Sequence, residues 1–173
     1  LLKIPEEAIR RGIENFKGVP GRAEYVQRQP FAVIVDYAHT PESLTAIYST
    51  LRSQMEKSKR LFCVLGSAGG GRDKWKRPLF GKIASEYCAQ IYLTNEDPWD
   101  ENPDPILEDI KSGISNIQYP ISNSQHPKIE TKKILDRKQA IQEAVNSARP
   151  GDTVVITGKG SETAIRIEKG GRI

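Results

Sequence analysis

Alternation of strand and helix signals from residue 31 to residue 157 predicts an α/β domain built on a mainly parallel sheet. Three observations carry this. Short apolar runs of strand length recur, as at residues 31–35 and 61–65. Between them lie segments with apolar residues at helical spacing, such as Leu44, Ile47, Tyr48 and Leu51. The runs end in glycine-rich or polar loops, as strand ends do in open parallel sheets.

Taken in order, Pro5 followed by Glu6 and Glu7 has the chemistry of a helix first turn, and Ala8, Ile9, Ile13 and Phe16 continue at helical spacing. Residues 5–16 are therefore expected to form an amphipathic helix that stops at Gly18. Val19-Pro20-Gly21-Arg22 is a turn, and residues 23–28 and 31–36 are two extended stretches broken by Gln29-Pro30. Thr40 before Pro41 and Glu42 is an N-cap signature that opens a helix reaching Gln54. Residues 60–65 form a strand ending in Gly66-Ser67-Ala68-Gly69-Gly70-Gly71. A helix with Leu79, Ile83, Ala84 and Tyr87 on its apolar face follows, then a strand over residues 90–94. An acidic, proline-containing loop over residues 95–102 leads into a helix over residues 105–113, and the aperiodic residues 114–127 read as a surface connection. A strand over 128–135 precedes a helix over 137–148, which Asp136 caps with Gln139 placed for a capping box. Residues 152–157 are the last strong strand. Ile165-Arg166-Ile167 and Arg172-Ile173 around Lys169-Gly170-Gly171 suggest a hairpin in which the chain stops.

The 173 residues carry 26 Lys plus Arg against 22 Asp plus Glu, a formal charge of +4. Hydrophobic residues make up 37% and charged ones 28%, near globular averages, and the length predicts one core. No dense basic stripe interleaved with aromatics is present, which weighs against a nucleic-acid partner. The longest apolar runs are five residues, against the ~18 of a membrane span. No basic-then-apolar signal opens the chain. Cys63 and Cys88 fall in a buried strand and a helix, so a disulfide framework is not expected and a reducing, cytoplasmic location is. The phosphate cradle Gly-x-x-x-x-Gly-Lys-Ser/Thr is absent from the sequence, so chemistry on a nucleoside triphosphate would borrow that part from elsewhere.

Four strand ends carry unusual polar groups: Asp36, Tyr37 and His39; the glycine-rich loop with Arg72, Asp73 and Lys74; residues 95–99; and Gly158-Lys159-Gly160-Ser161-Glu162. Each also has a plain structural reading. Asp36 and His39 fit a helix-capping turn, and Lys74, Lys76 and Arg77 fit a solvated helix start. His126 falls in the aperiodic segment. Contiguous glycines without G-x-G-x-x-G spacing weigh against a dinucleotide; they suit backbone approach to a carboxylate or phosphate, with Arg72 as a bidentate donor. A nest at Gly158 and Gly160 beside Glu162 suits a ligand bearing both a carboxylate and an ammonium. No Cys/His spacing fits a metal, and no Ser-His-Asp arrangement can be argued.

Val-Pro-Gly-Arg at 19–22, Asp-Tyr-Ala-His-Thr-Pro at 36–41, Gly-Gly-Arg-Asp-Lys at 70–74 with Lys76-Arg77-Pro78, Asp97-Pro98, Asp136-Arg137 and Gly-Lys-Gly-Ser-Glu at 158–162 together resemble the C-terminal domain of the Mur ligases. Within that family the likeness is strongest to the tripeptide synthetases, which add the third residue of the peptidoglycan stem peptide. The resemblance implies a Rossmann-like three-layer sandwich with helices on both faces of the sheet. Residues 1–18 would be the last helix of a central ATPase domain, or a linker helix, and residues 19–173 the amino-acid-binding domain. The activity implied is an ATP-dependent ligation of an amino acid to UDP-MurNAc-L-Ala-D-Glu through an acyl phosphate, which depends on positioning and electrostatic stabilisation. The cofactors implied are ATP and Mg²⁺, the metal held mainly by the central domain. The partners implied are the UDP-MurNAc-dipeptide, the amino acid and the two preceding domains. By motif match Arg22, Asp36 and His39 would contact ATP, and Arg72, Asp97, Gly158 and Glu162 the incoming amino acid; no catalytic side chain is implied.

Two features depart from the family pattern. Members that use meso-diaminopimelate carry Asp-Asn-Pro-Arg where this chain has Glu96-Asp97-Pro98-Trp99. An Arg–carboxylate fork is worth ~1.5–3 kcal/mol, so Trp99 predicts a substrate whose distal end is an amine, such as L-lysine or ornithine. Ser161 stands where His is common. The alternatives are a folylpolyglutamate-synthetase-like ligase domain, against which the Lys-Arg-Pro and Gly-Lys-Gly strings weigh, and a non-catalytic Rossmann-like binding module. Because the phosphate cradle is missing, the purified chain is expected to hydrolyse no ATP and to bind nucleotide weakly. Phosphate release measured on the chain alone checks this, and measurable turnover would overturn it.

Overall fold

The computed structural model describes residues 3–71, 73–114 and 129–167. In chain order they form α1 (Glu6–Glu14), β1 (Glu24–Gln27), β2 (Ala32–Val35), α2 (Pro41–Gln54), β3 (Leu61–Leu65), α3 (Lys76–Tyr87), β4 (Gln90–Leu93), α4 (Pro103–Ser112), β5 (Glu130–Lys133), α5 (Arg137–Ser147) and β6 (Thr153–Ile156). The six strands make one sheet in the order β1-β2-β6-β3-β4-β5. Only the edge strand β1 runs antiparallel to its neighbour; β2, β6, β3, β4 and β5 are mutually parallel.

The order of the strands decides which face each helix covers. The units β2-α2-β3, β3-α3-β4 and β4-α4-β5 all step across the sheet in one direction, whereas β5-α5-β6 steps back to insert β6 between β2 and β3. Parallel crossovers are right-handed, so reversing direction moves the helix to the other face. The cores follow this rule. Leu44, Tyr48 and Leu51 of α2, Phe80 and Ala84 of α3, and Ile106, Leu107 and Ile110 of α4 pack with Ile34, Leu61, Cys63, Leu65, Ile91, Leu93 and Val155 on one face. Ala140 and Ala144 of α5 pack with Val33, Phe62, Val64, Tyr92, Val154 and Ile156 on the other. Alternation along β3, β4 and β6 thus supplies both cores, which is why these strands are buried at every position. The result is the expected three-layer sandwich.

Local signals hold at the helix starts. Thr40 caps α2, with its hydroxyl accepting from the Ser43 N–H and the Ser43 hydroxyl accepting from the Thr40 N–H. Asn102 caps α4 by accepting from the Asp104 N–H. At α5 only half of the expected capping box forms: Asp136 accepts from the Gln139 N–H, but the Gln139 side chain turns along the helix to Glu143. Helix α1 forms as expected and buries none of its residues.

Two other expectations change, and a third is described only in part. The buried stripe of α3 is Arg77, Phe80, Gly81, Ala84 and Ser85, while Leu79 is exposed. The helix must face α4 as well as the sheet, and this rotates its buried side. Cys63 and Cys88, which were not expected to pair, are joined by a disulfide with their Cα atoms 6.1 Å apart. The end of α3 returns beside β3, bringing a strand cysteine and a helix-end cysteine into one buried layer, a proximity that spacing alone does not show. Of the predicted tail hairpin the first arm, residues 165–167, is described, and its Ile167 pairs with Trp99 in a parallel bridge. Its second arm, residues 115–128 with His126, and Arg72 all lie outside the described residues. Among the described residues no helix is long and apolar enough to cross a membrane.

Helices α3 and α4 touch backbone to backbone. A Cβ on Gly81 would stand 1.9 Å from the Ile110 carbonyl oxygen, and one on Gly113 would stand 1.7 Å from that of Pro78. Replacing an exposed helical glycine by alanine gains about 1 kcal/mol, but here the methyl has no space. Gly81→Ala is therefore expected to destabilise the fold by about 1–3 kcal/mol, read by denaturant unfolding; a stabilised variant would refute the close approach.

Candidate functional site

The loops that leave the carboxyl ends of β2, β6, β3 and β4 gather at one rim of the sheet. They come together because glycine lets their backbones touch. A Cβ on Gly21 would lie 2.3 Å from the Gly160 carbonyl carbon, one on Gly66 2.4 Å from the Thr94 oxygen, and one on Gly69 2.1 Å from the Pro98 oxygen. The Gly69 N–H donates to the Asp97 carbonyl at 2.7 Å.

At the β2 side, the Arg22 guanidinium lies 4.3 Å from the centre of the Tyr37 ring, and the His39 ring packs against the same tyrosine at 4.5 Å, tilted by 59°. Such an arrangement holds a cation over a π face without removing it from water. Imidazole Nδ1 of His39 lies 2.9 Å from the Tyr37 carbonyl oxygen. A carbonyl only accepts, so Nδ1 carries the proton, and Nε2 is an acceptor when the ring is neutral and a donor when it is protonated. Asp36 is committed to the chain itself: Oδ1 accepts from the Ala38 N–H and Oδ2 from the Ala23 N–H, both at 2.7 Å. It ties the turn bearing Arg22 to the end of β2.

Buried charges form the middle of the rim. Arg137, at the first turn of α5, donates from Nη1 to the Asn95 carbonyl at 3.0 Å and from Nη2 to the Thr157 carbonyl at 2.8 Å. Burial lowers its pKa, opposed first by the charge of Glu96; the guanidinium remains charged. Glu96 is buried, its Oε2 has no hydrogen-bond partner, and a Cβ on Gly158 would fall 2.3 Å from that oxygen. Burial pushes its carboxyl upward, with Arg137 and Lys159 pulling the other way. Lys159 donates to Asp97 Oδ1 at 2.7 Å, and the Arg166 N–H donates to the same oxygen at 2.7 Å. Beneath them the Tyr48 hydroxyl meets Thr157 Oγ1 at 3.1 Å, and Thr157 passes a bond on to the Val64 carbonyl. Burial raises the tyrosine pKa well above its ordinary value.

Toward β4, Trp99 sits in the left-handed region at φ 55° beside Gly70, whose Cβ would lie 3.5 Å from the indole. Glu162, exposed, accepts from the Gly160 N–H at 2.8 Å. The rim therefore brings together Arg22, Asp36, His39, Asp97, Gly158 and Glu162, with Arg22 against Gly160 and Asp97 against Lys159. Sequence reasoning passed over Glu96, Arg137 and Lys159 as individual site residues. Their motifs were visible, but burial of a charge is a tertiary fact, and an arginine at a helix start is ordinarily solvated. The chemistry available here is binding: an arginine and a histidine at one end, and the carboxylates of Asp97 and Glu162 at the other.

The family model described as "Mur ligase, glutamate ligase domain" matches residues 21–160. The UDP-N-acetylmuramoyl-L-alanyl-D-glutamate–2,6-diaminopimelate ligase of Bacillus licheniformis is 44% identical over 161 residues, spanning 92% of this chain and 30% of the relative. The enzyme of that name from Aquifex aeolicus is 44% identical over 159 residues, with the same shares. A solved structure of a ligase of that name superposes with a TM-score of 0.74 at 34% identity, over 96% of this chain and 33% of the other. E. coli FolC in complex with ADP reaches a TM-score of 0.65 at 23% identity over 91% of this chain and 33% of its own, a likeness of fold alone. The chain thus spans about a third of the length of the relatives it matches.

Gly158 combines a left-handed φ of +91° with contact against buried Glu96. Gly158→Ala is expected to cost about 2–4 kcal/mol, the left-handed conformation and the overpacking together, measured by thermal unfolding of the chain. A loss under ~0.5 kcal/mol, the range of surface changes, would show that the loop yields freely.

Proposed function

Because the chain belongs to the Mur ligase family as its glutamate ligase domain, we propose that it is the C-terminal part of an ATP-dependent ligase that joins a diamino acid to a UDP-N-acetylmuramoyl dipeptide. One observation carries the reading: a cationic, aromatic end (Arg22, Tyr37, His39) and a carboxylate end (Asp97, Glu162) share one rim across the glycines of residues 158–160. A nucleotide phosphate suits the first end and an amino acid's ammonium the second.

The residues fit a nucleotide in part. Arg22, whose Nη1 donates to the Gly21 carbonyl at 3.0 Å, has further N–H donors to offer phosphate or ribose oxygens, as has His39 Nε2 on the ring whose Nδ1 is held by the Tyr37 carbonyl. Asp36 would act by holding the Arg22 turn, since both of its oxygens already accept backbone N–H groups. Bound ATP supplies the phosphoryl group that activates the acceptor carboxylate. Among the described residues no group of three or more His, Cys, Asp or Glu side chains could hold a metal ion, so a divalent cation would take its protein ligands from the preceding domain. The same division of labour suits α1. Its Ile9, Ile13 and the following Phe16 are exposed, an apolar face that a preceding ATPase domain would cover, and residues 1–18 are proposed as the end of that domain or a linker to it. A cytoplasmic location follows from the nucleotide substrates proposed.

Glu162, Asp97 and Gly158 would receive the amino acid. Relatives named as 2,6-diaminopimelate ligases make a distal carboxylate the first reading, in place of the lysine-like amine that sequence reasoning preferred. The second reading survives on one residue: Trp99 is an apolar wall beside Gly70 where a guanidinium would be needed for a fork. The test is turnover of the full-length protein with ATP, UDP-MurNAc-L-Ala-D-Glu and each amino acid. We expect kcat/KM for diaminopimelate to exceed that for lysine at least about tenfold, the ratio that ~1.4 kcal/mol of discrimination gives. The reverse ratio selects the amine-ended substrate and assigns the difference to Trp99, and no turnover with either refutes the ligase reading.

A further inference from the structure

We propose that Glu101 and Arg77 are positioning residues for the amino-acid subsite, setting the glycine-rich loop against Trp99. The inference rests on the functional reading above and adds to it two side chains outside the rim.

The glycine-rich loop ends in Gly70 and Gly71, at φ +72° and +73°. Two successive residues without side chains, both left-handed, have no packing of their own to define their course. A Cβ on Gly71 would meet nothing within 4 Å. What holds Gly71 is a carboxylate: its N–H donates to Glu101 Oε1. Glu101 lies two residues beyond Trp99 in a turn closed by its own N–H donating to the Pro98 carbonyl at 3.0 Å. One side chain therefore links the glycine pair to the loop that presents Trp99.

Glu101 is itself fixed. Its Oε2 accepts from Arg77 Nη2 at 3.1 Å and lies 3.3 Å from Lys74 Nζ. Arg77 is 1% exposed, its Nη1 reaches Asp109 Oδ2 at 3.0 Å, and its Nη2 also reaches the Ala68 carbonyl at 3.4 Å. The guanidinium thus grips the start of the same loop through Ala68 and its end through Glu101 and Gly71, while Asp109 anchors it to α4. Against the raising effect of burial, the Gly71 and Arg77 bonds hold the Glu101 carboxyl below its ordinary value. Two ion-paired side chains thus tie the glycine loop to the Trp99 loop and to α4.

Steady-state kinetics of the full-length protein with Glu101→Gln, together with hydrogen exchange at Gly71, tests this. Glutamine keeps the shape but loses the charge that binds Arg77. The KM for the amino acid should rise roughly tenfold, as for a lost charge-assisted bond, while kcat and the KM for ATP stay within about twofold, and Gly71 protection should fall. Glu101→Asp, which keeps the charge on a shorter arm, should recover part of the loss. Lost protection with an unchanged amino-acid KM overturns the proposal. So does a parallel loss in kcat and both KM values, which marks a merely structural tie, and so does unchanged Gly71 protection. Wild-type protein without turnover on any amino acid, yet with Gly71 protection that depends on Glu101, sinks the functional reading instead and leaves only the latch.

Discussion

The rim depends on one buried cation. The Arg137 guanidinium spans from the Asn95 carbonyl beyond β4 to the Thr157 carbonyl beyond β6, and β3 lies between those strands. Each carbonyl marks where a strand ends and a loop of the candidate site begins. An unpaired charge in this place would be costly. Its compensation comes from two carbonyl acceptors and from Glu96, whose charge is the first of those that favour the protonated guanidinium. Lys159 and Asp97 repeat the pattern one loop away. Charges buried or half-buried at the rim, each with a partner, therefore link the strand ends.

Those charges work only because the backbones are already close. Gly21, Gly66, Gly69 and Gly158 each stand where a methyl would overlap a neighbouring loop, so the gaps between loops are narrower than any side chain. Polar groups then meet backbone at hydrogen-bond distance, as in Gly69 to Asp97 and Gly160 to Glu162. The glycines that sequence reasoning assigned to ligand approach serve first to let protein approach protein. A surface made this way is set by backbone contacts and paired charges, which suits binding and orientation of charged ligands.

Much of this was legible because it is local or periodic. The α2 cap follows from Thr40, Pro41 and Glu42, and the strand-helix rhythm alone places four loops on one rim. What escaped depends on contacts between distant segments. The buried face of α3 is set by α4, which contacts Gly81 and leaves Leu79 outside. The pairing of Cys63 with Cys88 requires knowing that α3 returns beside β3. Gln139 has a helical neighbour, Glu143, that competes for its side chain and undoes half of the predicted capping box. Glu96 stood inside a quoted motif, yet nothing in its neighbours along the chain shows that it lies under Gly158.

The two ends of the rim are built on different physical terms. Around Arg22, Tyr37 and His39 the groups are partly exposed and held by ring contacts and one carbonyl, so they can shift to meet a ligand that arrives with its own charge and, in a complete ligase, with another domain. Around Trp99 the wall is fixed by backbone contact through Gly69 and by the ion pairs of Glu101 and Arg77. A group that must be delivered tolerates a compliant holder, whereas discrimination between a distal carboxylate and a distal amine requires a wall that does not yield, because a loop free to move would relieve the unpaired charge on which selection depends. On the proposed reading, a fixed glycine-rich loop would be a condition of specificity, with its source in Glu101 and Arg77, side chains behind the surface that the amino acid would touch.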